Sequence, residues 1–384
     1  MPRGNPGSVR LIFIRLFPFF TPMLYAFELS GEHKEIPAAE IYGALESRGF
    51  SCQTKETMTQ CILVDIERPG TDVSETDRIL REDLSEALSM THAISRVIAV
   101  CGVGENEILD MADHFNAKEW LAAGQKFVVR AKRLGNNSVL KSMDIEGRVG
   151  GRIFRQGFRA GLKDADVVFR LTLSDRAVFG LLIAHVDRGS YECRSPQQKP
   201  FFYPGVLMPR MARALCNMAG VRPGVTMLDP FCGTAGILLE AGLLGAEVIG
   251  VDAQEKIVVG AVLNMEGYDA VTGAFRKPGD PAVDYTLLIG DACRLPFADE
   301  TVDAVITDPP YGRSAAIKAE SLEALYAGSF REIYRVLRPG SKAVIVSEID
   351  VLPFAGNTGF SVIAVYKQRV HRSLTRTITL VKKE

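Results

Sequence analysis

Acidic residues follow several short apolar runs in the second half of the chain. Asp229 ends the run Val225–Asp229 and precedes a loop, Pro230–Gly236, that contains Gly233 and Gly236. In open α/β sheets, a glycine-containing loop between a first strand and a helix binds nucleotide-like ligands, because glycine lets the backbone approach the ligand closely. The spacing differs from G-x-G-x-x-G, so it does not indicate a dinucleotide site. At this strand end a carboxylate can hold an ammonium group.

Two further acids extend this pattern along the chain. Asp252 follows the predicted strand Glu247–Val251, where a carboxylate can accept hydrogen bonds from both ribose hydroxyls. Asp291 follows the predicted strand Tyr285–Ile289, where it can receive the amine of adenine. One such aspartate alone is commonly a turn residue or a helix cap. Three in this order, with the glycine loop, predict a binding site for S-adenosylmethionine.

The motif Asp308-Pro-Pro-Tyr-Gly312 follows the predicted strand Ala304–Thr307. Consecutive prolines fix the backbone and remove amide donors, so carbonyl oxygens are free to point at a bound amine. The ring of Tyr311 offers a flat face on which a base can stack, an interaction of about 1–3 kcal/mol. A base from a helical region would have to be flipped out to reach it. We therefore take Asp308, Pro309 and Tyr311 as candidate catalytic residues; the alternative is a proline turn that only ends a strand.

The elements that must position these residues alternate between helix and strand. After a predicted helix, Met208–Met218, strands and helices alternate to the C-terminus, which is the pattern of a doubly wound parallel sheet. Upstream, residues 23–102 follow a β-α-β-β-α-β order that is typical of a small ferredoxin-like domain. The polar, proline-rich segment 188–204 predicts a linker. The predicted elements of the upstream part are strands Leu24–Leu29, Cys61–Asp65 and Ser95–Cys101 and helices Ile36–Arg48, Glu75–Leu88 and Ile108–Leu121.

A basic strand, Gln125–Arg133, is predicted between the ferredoxin-like region and the linker. Phe127 and Val129 alternate there with basic positions, and ten basic residues face four acidic ones over residues 126–166. The net charge of the whole chain is only -1, so this basic surface is local. It predicts contact with nucleic acid, although a solvated face of an ordinary domain would also fit. The candidate RNA-binding residues are Lys126, Arg130, Lys132 and Arg133.

Composition excludes several classes of protein. The 384 residues are 47% hydrophobic and 24% charged, which is typical of a globular chain of two or three domains and not of disordered, collagen-like or coiled-coil proteins. The seven cysteines include no C-x-x-C pair, so we expect neither a disulfide framework nor a metal site, and a cytoplasmic location. Cys232 and Cys293 are expected to pack, and His371 to make a phosphate or structural contact.

The first 22 residues contain a short apolar run, Leu11–Phe20. It is too short to span a bilayer, carries Arg15 and Pro18, and is followed by no cleavage site. We expect a dispensable extension that makes no contribution to folding, since Met23 already opens a strand-like pattern. An ordered first strand or a membrane signal are the alternatives, and no membrane partner is expected.

The stretch Phe127–Arg133, with Gly161–Val168 and a closing hairpin to His185, resembles the THUMP domain of RNA-modifying enzymes. The segments DPFCGTAG, GVDAQ, GDA and DPPYG occur in the order found in amino-methyltransferases. Preceded by Pro200-Phe-Phe-Tyr-Pro204, they resemble the archaeal tRNA guanosine-10 N2-methyltransferase family, and the resemblance covers Met23 to Lys383.

This resemblance implies an α/β fold, with a doubly wound Rossmann-like methyltransferase sheet and N-terminal ferredoxin-like and THUMP α+β domains. It divides the chain into an extension (1–22), a ferredoxin-like domain (23–102), a THUMP domain (103–187), a linker (188–204) and a methyltransferase domain (205–384). It also implies tRNA as partner and transfer of one or two methyl groups to the N2 amine of a guanosine, at position 10. Two alternatives stay open, a methyltransferase for another RNA or DNA base and a non-catalytic RNA-binding protein, and so does the need for a small partner protein.

Overall fold

The computed structural model describes residues 12–13, 23–135, 140–269, 272–275, 282–311, 321–372 and 374–384. Its strands are β1 (Ile12–Phe13), β2 (Met23–Leu29), β3 (Ser51–Met58), β4 (Cys61–Glu67), β5 (Thr91–Cys101), β6 (Lys126–Arg133), β7 (Arg159–Ala160), β8 (Val167–Leu173), β9 (Ala177–His185), β10 (Thr226–Asp229), β11 (Glu247–Asp252), β12 (Tyr268–Asp269), β13 (Ala274–Phe275), β14 (Tyr285–Ile289), β15 (Val302–Thr307), β16 (Leu337–Ser347), β17 (Phe360–His371) and β18 (Leu374–Lys383). Its α-helices are α1 (Ile36–Glu46), α2 (Val73–Ile79), α3 (Ser85–Ala87), α4 (Glu105–His114), α5 (Ser142–Phe154), α6 (Pro209–Met218), α7 (Gly236–Gly242), α8 (Glu255–Gly267), α9 (Leu322–Val336) and α10 (Leu352–Thr358).

The chain forms two compact units, of which the first comprises residues 1–32, 50–86 and 91–186. Its described strands form one sheet in the order β3-β4-β2-β5-β9-β8-β6-β7, with β1 paired to β5. The pairing of β5 with β9 joins the predicted ferredoxin-like and THUMP elements into a single sheet. A core of aromatic rings, including Phe115, Phe169 and Phe179, lies under α4 and α5 on one face.

Two elements of the first unit differ from the sequence-based prediction. Strand β3 was not expected, because its sequence is polar and its residues are mostly exposed at the edge of the sheet. The predicted helix Glu75–Leu88 is divided into α2, a π-helical turn at Leu80–Leu84 and the short α3. A π turn shifts the hydrogen-bond pattern by one residue without changing the apolar spacing enough to be seen in the sequence.

The predicted extension, residues 1–22, lies outside the described residues except for the backbone of β1, which pairs antiparallel with β5. Among the described helices, none combines the length and apolar character needed to cross a bilayer.

The second unit comprises residues 33–49, 87–90 and 187–384, so α1 belongs to it. Helix α1 packs against α6, where a Cβ atom on Gly43 would lie 2.3 Å from the carbonyl oxygen of Asn217. Only glycine permits that approach of the two backbones. The buried Glu40 carboxylate on the same helix accepts hydrogen bonds from the backbone N–H groups of Ser89 and Met90, both at 2.8 Å.

The main sheet of the second unit has the order β14-β11-β10-β15-β16-β18-β17. Strands β14, β11, β10, β15 and β16 are parallel, while β18 is antiparallel to both neighbours. Buried side chains of α6 and α7 cover one face and those of α9 and α10 cover the other. The predicted doubly wound α/β fold is therefore confirmed, with the addition of an antiparallel hairpin at one edge.

The segment 188–204, predicted as a linker, packs into the second unit. Tyr191, Arg194 and Lys199 are buried. Arg194 and Arg213 both pair with the buried Glu240 carboxylate, at 2.6 and 2.9 Å. These ion pairs give a polar segment a fixed place, which composition alone could not reveal.

Candidate active site

A cavity of about 980 Å³ opens at the carboxyl ends of the parallel strands of the second unit. Strand order reverses between β10 and β15, which is the point at which α/β sheets bind ligands. All eight candidate cofactor and catalytic residues line this cavity: Asp229, Gly233, Gly236, Asp252, Asp291, Asp308, Pro309 and Tyr311. Residues that follow successive strands in the sequence therefore meet in one site, because neighbouring parallel strands end at the same edge of the sheet.

Asp229 is the last residue of β10 and is 1% exposed. Its Oδ1 accepts a hydrogen bond from the Thr307 hydroxyl at 2.7 Å and from the backbone N–H of Phe231 at 3.0 Å. Burial raises the pKa of this carboxyl group to about 7. No cationic side chain among the described residues pairs with it, so the arrangement fits a cationic group of a ligand.

The loop after β10 is held by Asp252. The Asp252 carboxylate accepts hydrogen bonds from the backbone N–H groups of Gly233, at 3.3 Å, and Gln254, at 2.9 Å. Gly233 has a φ of +49°, which favours glycine, and Ala235 has a φ of +61°. These two hydrogen bonds fix the orientation of the carboxylate in the wall of the cavity.

Asp291 lies beyond β14, the strand that pairs with β11, and is exposed in the wall of the cavity. Its carboxylate accepts a hydrogen bond from the backbone N–H of Cys293 at 2.8 Å. The predicted position for an adenine contact is therefore open to a ligand. Cys232 is buried and its thiol has a raised pKa through burial, which fits the expected packing role.

Asp308 and Tyr311 form a connected pair at the other end of the cavity, directly after β15. The Tyr311 hydroxyl donates a hydrogen bond to Asp308 Oδ1. Burial raises the pKa of Asp308 to about 6, and the nearby Arg376 guanidinium and the Tyr311 hydrogen bond act in the opposite direction. Above pH 6 Asp308 is thus mostly a carboxylate, which accepts hydrogen bonds only. Gly312, the end of the motif, lies outside the described residues.

Several residues that sequence reasoning did not select also line the cavity. Arg376 is 5% exposed and comes from β18, 65 positions after Tyr311. Glu348 follows β16, and Tyr203 belongs to the segment predicted as a linker. The ends of β17 and β18 contribute through the antiparallel hairpin, which the parallel prediction did not include. His371, expected to make a phosphate or structural contact, also lines the cavity.

The candidate RNA-binding residues lie on β6 of the first unit. Lys126 pairs with Asp164. Arg130 donates a hydrogen bond to the carbonyl oxygen of Leu162 at 2.8 Å and lies 3.6 Å from Glu146. Lys132 and Arg133 are exposed at the end of the strand. The expected alternation is only partly present, since Phe127 and Val129 are buried in the core of this unit but Val128 between them is buried as well.

Within the described part of the chain, no group of three or more His, Cys, Asp or Glu side chains could hold a metal ion.

Comparison with known proteins agrees with this architecture. The family model of the RMKL-like methyltransferase domain matches residues 196–378, and the THUMP domain model matches residues 104–179. A tRNA (guanine(10)-N2)-dimethyltransferase of Methanothermobacter thermautotrophicus is 31% identical over 359 residues, which cover 92% of this chain and 98% of that protein. The chain belongs to the tRNA (guanine(10)-N2)-dimethyltransferase family.

Two further archaeal relatives of this family carry the same name. The protein of Pyrococcus abyssi is 32% identical over 77% of this chain and 84% of its own length. That of Methanocaldococcus jannaschii is 28% identical over 94% of this chain and 100% of its own length. The family resemblance seen in the sequence motifs is therefore confirmed, and it extends through both units.

Proposed function

We propose that this enzyme transfers methyl groups from S-adenosylmethionine to the exocyclic N2 amine of guanosine 10 in tRNA. The observation that carries the proposal is the single cavity at the strand-order reversal. Asp229 and Asp252 line one part of it and the Asp308–Tyr311 pair lines another. Cofactor groups and a target amine can therefore meet in one cavity.

The residues of the cavity fit S-adenosylmethionine. The uncompensated, buried carboxyl of Asp229 suits the ammonium group of the methionine part. The Asp252 carboxylate, fixed by two backbone N–H groups, suits the two ribose hydroxyls. Asp291, exposed to the cavity, suits the adenine amine. When bound, the cofactor supplies a methyl group on a positively charged sulfur.

Asp308 and Pro309 act on the target amine. The lone pair of the guanine N2 amine is delocalised into the ring, so it is a weak nucleophile. Hydrogen bonds from this amine to the Asp308 carboxylate and the Pro309 carbonyl would hold it in line with the methyl group. Transfer would form the new N–C bond as the C–S bond of the bound cofactor breaks, with the electron pair left on sulfur. The amine then loses one proton, to Asp308 or to water.

Transfer of two methyl groups is consistent with this arrangement. After the first transfer and loss of a proton, the amine still carries one N–H, which can donate to the Asp308 carboxylate in a second round. The three archaeal relatives above are named dimethyltransferases. We therefore take dimethylation as the complete reaction of this enzyme.

The THUMP region of the first unit is proposed to bind the tRNA. Lys132 and Arg133 are exposed on β6, while Lys126 and Arg130 also make local ion pairs. Phosphate contacts by such residues give affinity without reading the sequence. A cytoplasmic location is part of the proposal, because all seven cysteines are free thiols.

The test is mass analysis of tRNA nucleosides after incubation with labelled S-adenosylmethionine. The parent enzyme is expected to place label in N2-methylguanosine and N2,N2-dimethylguanosine. Asp308→Ala should lose transfer but keep cofactor affinity in calorimetry, whereas Asp252→Ala should weaken cofactor binding. Label in another nucleoside would refute the proposed reaction, and lost cofactor affinity in Asp308→Ala would refute the assignment of this residue to the target side.

A further inference from the structure

Arg376 joins three separate parts of the cavity wall. Its Nε donates a hydrogen bond to the Tyr311 hydroxyl at 3.1 Å, and its Nη2 donates to the carbonyl oxygen of Gly205 at 2.6 Å. The same Nη2 lies 3.7 Å from Asp308 Oδ2. The side chain is 6% exposed, so these contacts are made away from bulk water. An arginine fork that makes three such contacts is fixed in position.

The Tyr311 hydroxyl is thereby held from two sides. It accepts from Arg376 and donates to Asp308, which uses its donor and one acceptor position. A phenol ring with a fixed hydroxyl has little freedom to rotate out of its plane. The ring face and the Asp308 carboxylate are therefore set in one geometry before a target base arrives, which reduces the cost of ordering them.

The guanidinium also acts on the charge of Asp308. The titratable groups around Asp308 are Tyr311 in its own motif, Asp229 at the end of β10, Tyr326 on α9 and Arg376 on β18, and Glu348 after β16 lines the same cavity. Of these, Arg376 supplies the positive charge, while Asp229 and Glu348 are acids. An opposite charge at this distance favours the carboxylate form of its neighbour.

We propose that Arg376 is the positioning residue of the target-base end of the cavity, which orients the ring of Tyr311 and keeps Asp308 ionised. This inference rests on the proposed function, because the proposed function places Asp308 and Tyr311 at the target base. Arg376 acts on the reaction through those two side chains and does not itself contact the reacting atoms. Replacement should therefore change methyl transfer and leave cofactor binding intact.

Two variants separate charge from geometry. Arg376→Gln removes the positive charge, so the pKa of Asp308 should rise and the acid limb of the rate–pH profile should move upward by about 1 unit or more. Its methyl transfer should then recover as the pH is raised. Arg376→Lys keeps the charge but loses the planar fork, so its acid limb should stay near that of the parent while the rate falls roughly tenfold to a hundredfold.

The measurement is single-turnover methyl transfer to tRNA at saturating enzyme, from pH 5.5 to 8.5, with cofactor affinity and thermal stability determined for each variant. Arg338→Gln is the matched control. It also removes one arginine of the second unit, but Arg338 pairs with Asp303 at the amino ends of β15 and β16, away from the cavity at their carboxyl ends. This control should keep the parent profile. A double variant, Arg376→Lys with Tyr311→Phe, should be no slower than the slower single variant. Both changes remove the same hydrogen bond, because Arg376→Lys loses its donor and Tyr311→Phe loses its acceptor.

An unmoved acid limb in Arg376→Gln, or a uniform loss at every pH, would overturn the proposal. If Arg376→Gln does not fold, a parent-like rate in Arg376→Lys would overturn it equally. A parent enzyme that methylates no guanine amine in tRNA would instead refute the proposed function, so the two failures are distinct.

Discussion

The buried carboxyl of Asp229 should make cofactor affinity depend on pH. Its pKa is raised to about 7 by burial, and it has no cationic partner among the described residues. If the ammonium group of S-adenosylmethionine binds the carboxylate form, affinity follows the ionised fraction of this group. That fraction is about one-tenth at pH 6 and about nine-tenths at pH 8, so the dissociation constant should rise about tenfold from pH 8 to pH 6.

The Asp229 carboxyl should also make the folded protein less stable as the pH rises. Because the pKa in the folded state lies about three units above its ordinary value of 3.8, the folded protein binds this proton more tightly than the unfolded chain does. The resulting penalty is absent below about pH 4, grows as the pH rises, and is complete above about pH 7. Its upper bound at pH 8 is about 4 kcal/mol, at about 1.4 kcal/mol for each unit.

Asp229→Asn tests both effects. Calorimetric titration with S-adenosylmethionine between pH 6 and pH 8 should show the tenfold change in the parent and a flat, weaker affinity in the variant. Asp308→Asn is the control, because Asp308 is a second acid in the cavity that titrates near this pH range. This variant should keep the tenfold change in cofactor affinity between pH 6 and pH 8. In urea denaturation without ligand, Asp229→Asn should be more stable than the parent at pH 8, with a smaller difference at pH 5. A parent affinity that is flat with pH would refute the assignment of Asp229 to the ammonium group.

Three further outcomes are expected. Asp252→Asn should weaken cofactor binding about tenfold or more, measured by calorimetry, because one charged acceptor for ribose is lost; unchanged affinity would remove this residue from the cofactor site. Lys132→Ala combined with Arg133→Ala should lower the slope of log affinity for tRNA against log salt by roughly 2, since two phosphate contacts are lost, and an equal slope would remove β6 from the RNA-binding surface. Arg170→Met should destabilise the first unit by about 3–5 kcal/mol in urea, because it leaves the buried Glu28 carboxylate, paired at 2.7 Å, without its cationic partner and, among the described side chains, with a hydrogen bond from Thr172 alone to offset its charge. The exposed Arg78, which pairs with Glu75 and Glu82, is the comparison, and Arg78→Met should destabilise the protein far less, because exposed ion pairs are screened by water.

The candidate site was predictable because its geometry follows from strand direction. In a parallel sheet the carboxyl ends of all strands lie at one edge, so Asp229, Asp252, Asp291 and Asp308 had to be neighbours of one cleft. Because all four residues are carboxylic acids, the groups of a ligand that they can bind are cations, hydroxyls and amines. No knowledge of side-chain packing was needed for this step.

Arg376 could not be found in the same way. Its place depends on β18 returning antiparallel beside β16, with Val346 opposite Ile378, and no local pattern announces that pairing. Helix α1 is a second example, since its contact with α6 rests on the close approach at Gly43 and on hydrogen bonds to Glu40 from residues about fifty positions away. Such long-range contacts are decided by three-dimensional fit and leave only an isolated glycine or a single buried charge in the sequence.

The most direct test of N2 methylation at guanosine 10 uses two tRNA transcripts that differ at one base. One carries guanosine at position 10, and the other carries inosine, which lacks only the exocyclic N2 amine. Methyl incorporation from labelled S-adenosylmethionine should be found with the first transcript, with the label at position 10, and should be absent with the second, although both bind the enzyme with similar affinity. Equal incorporation into the inosine transcript would contradict methylation of the N2 amine at this position.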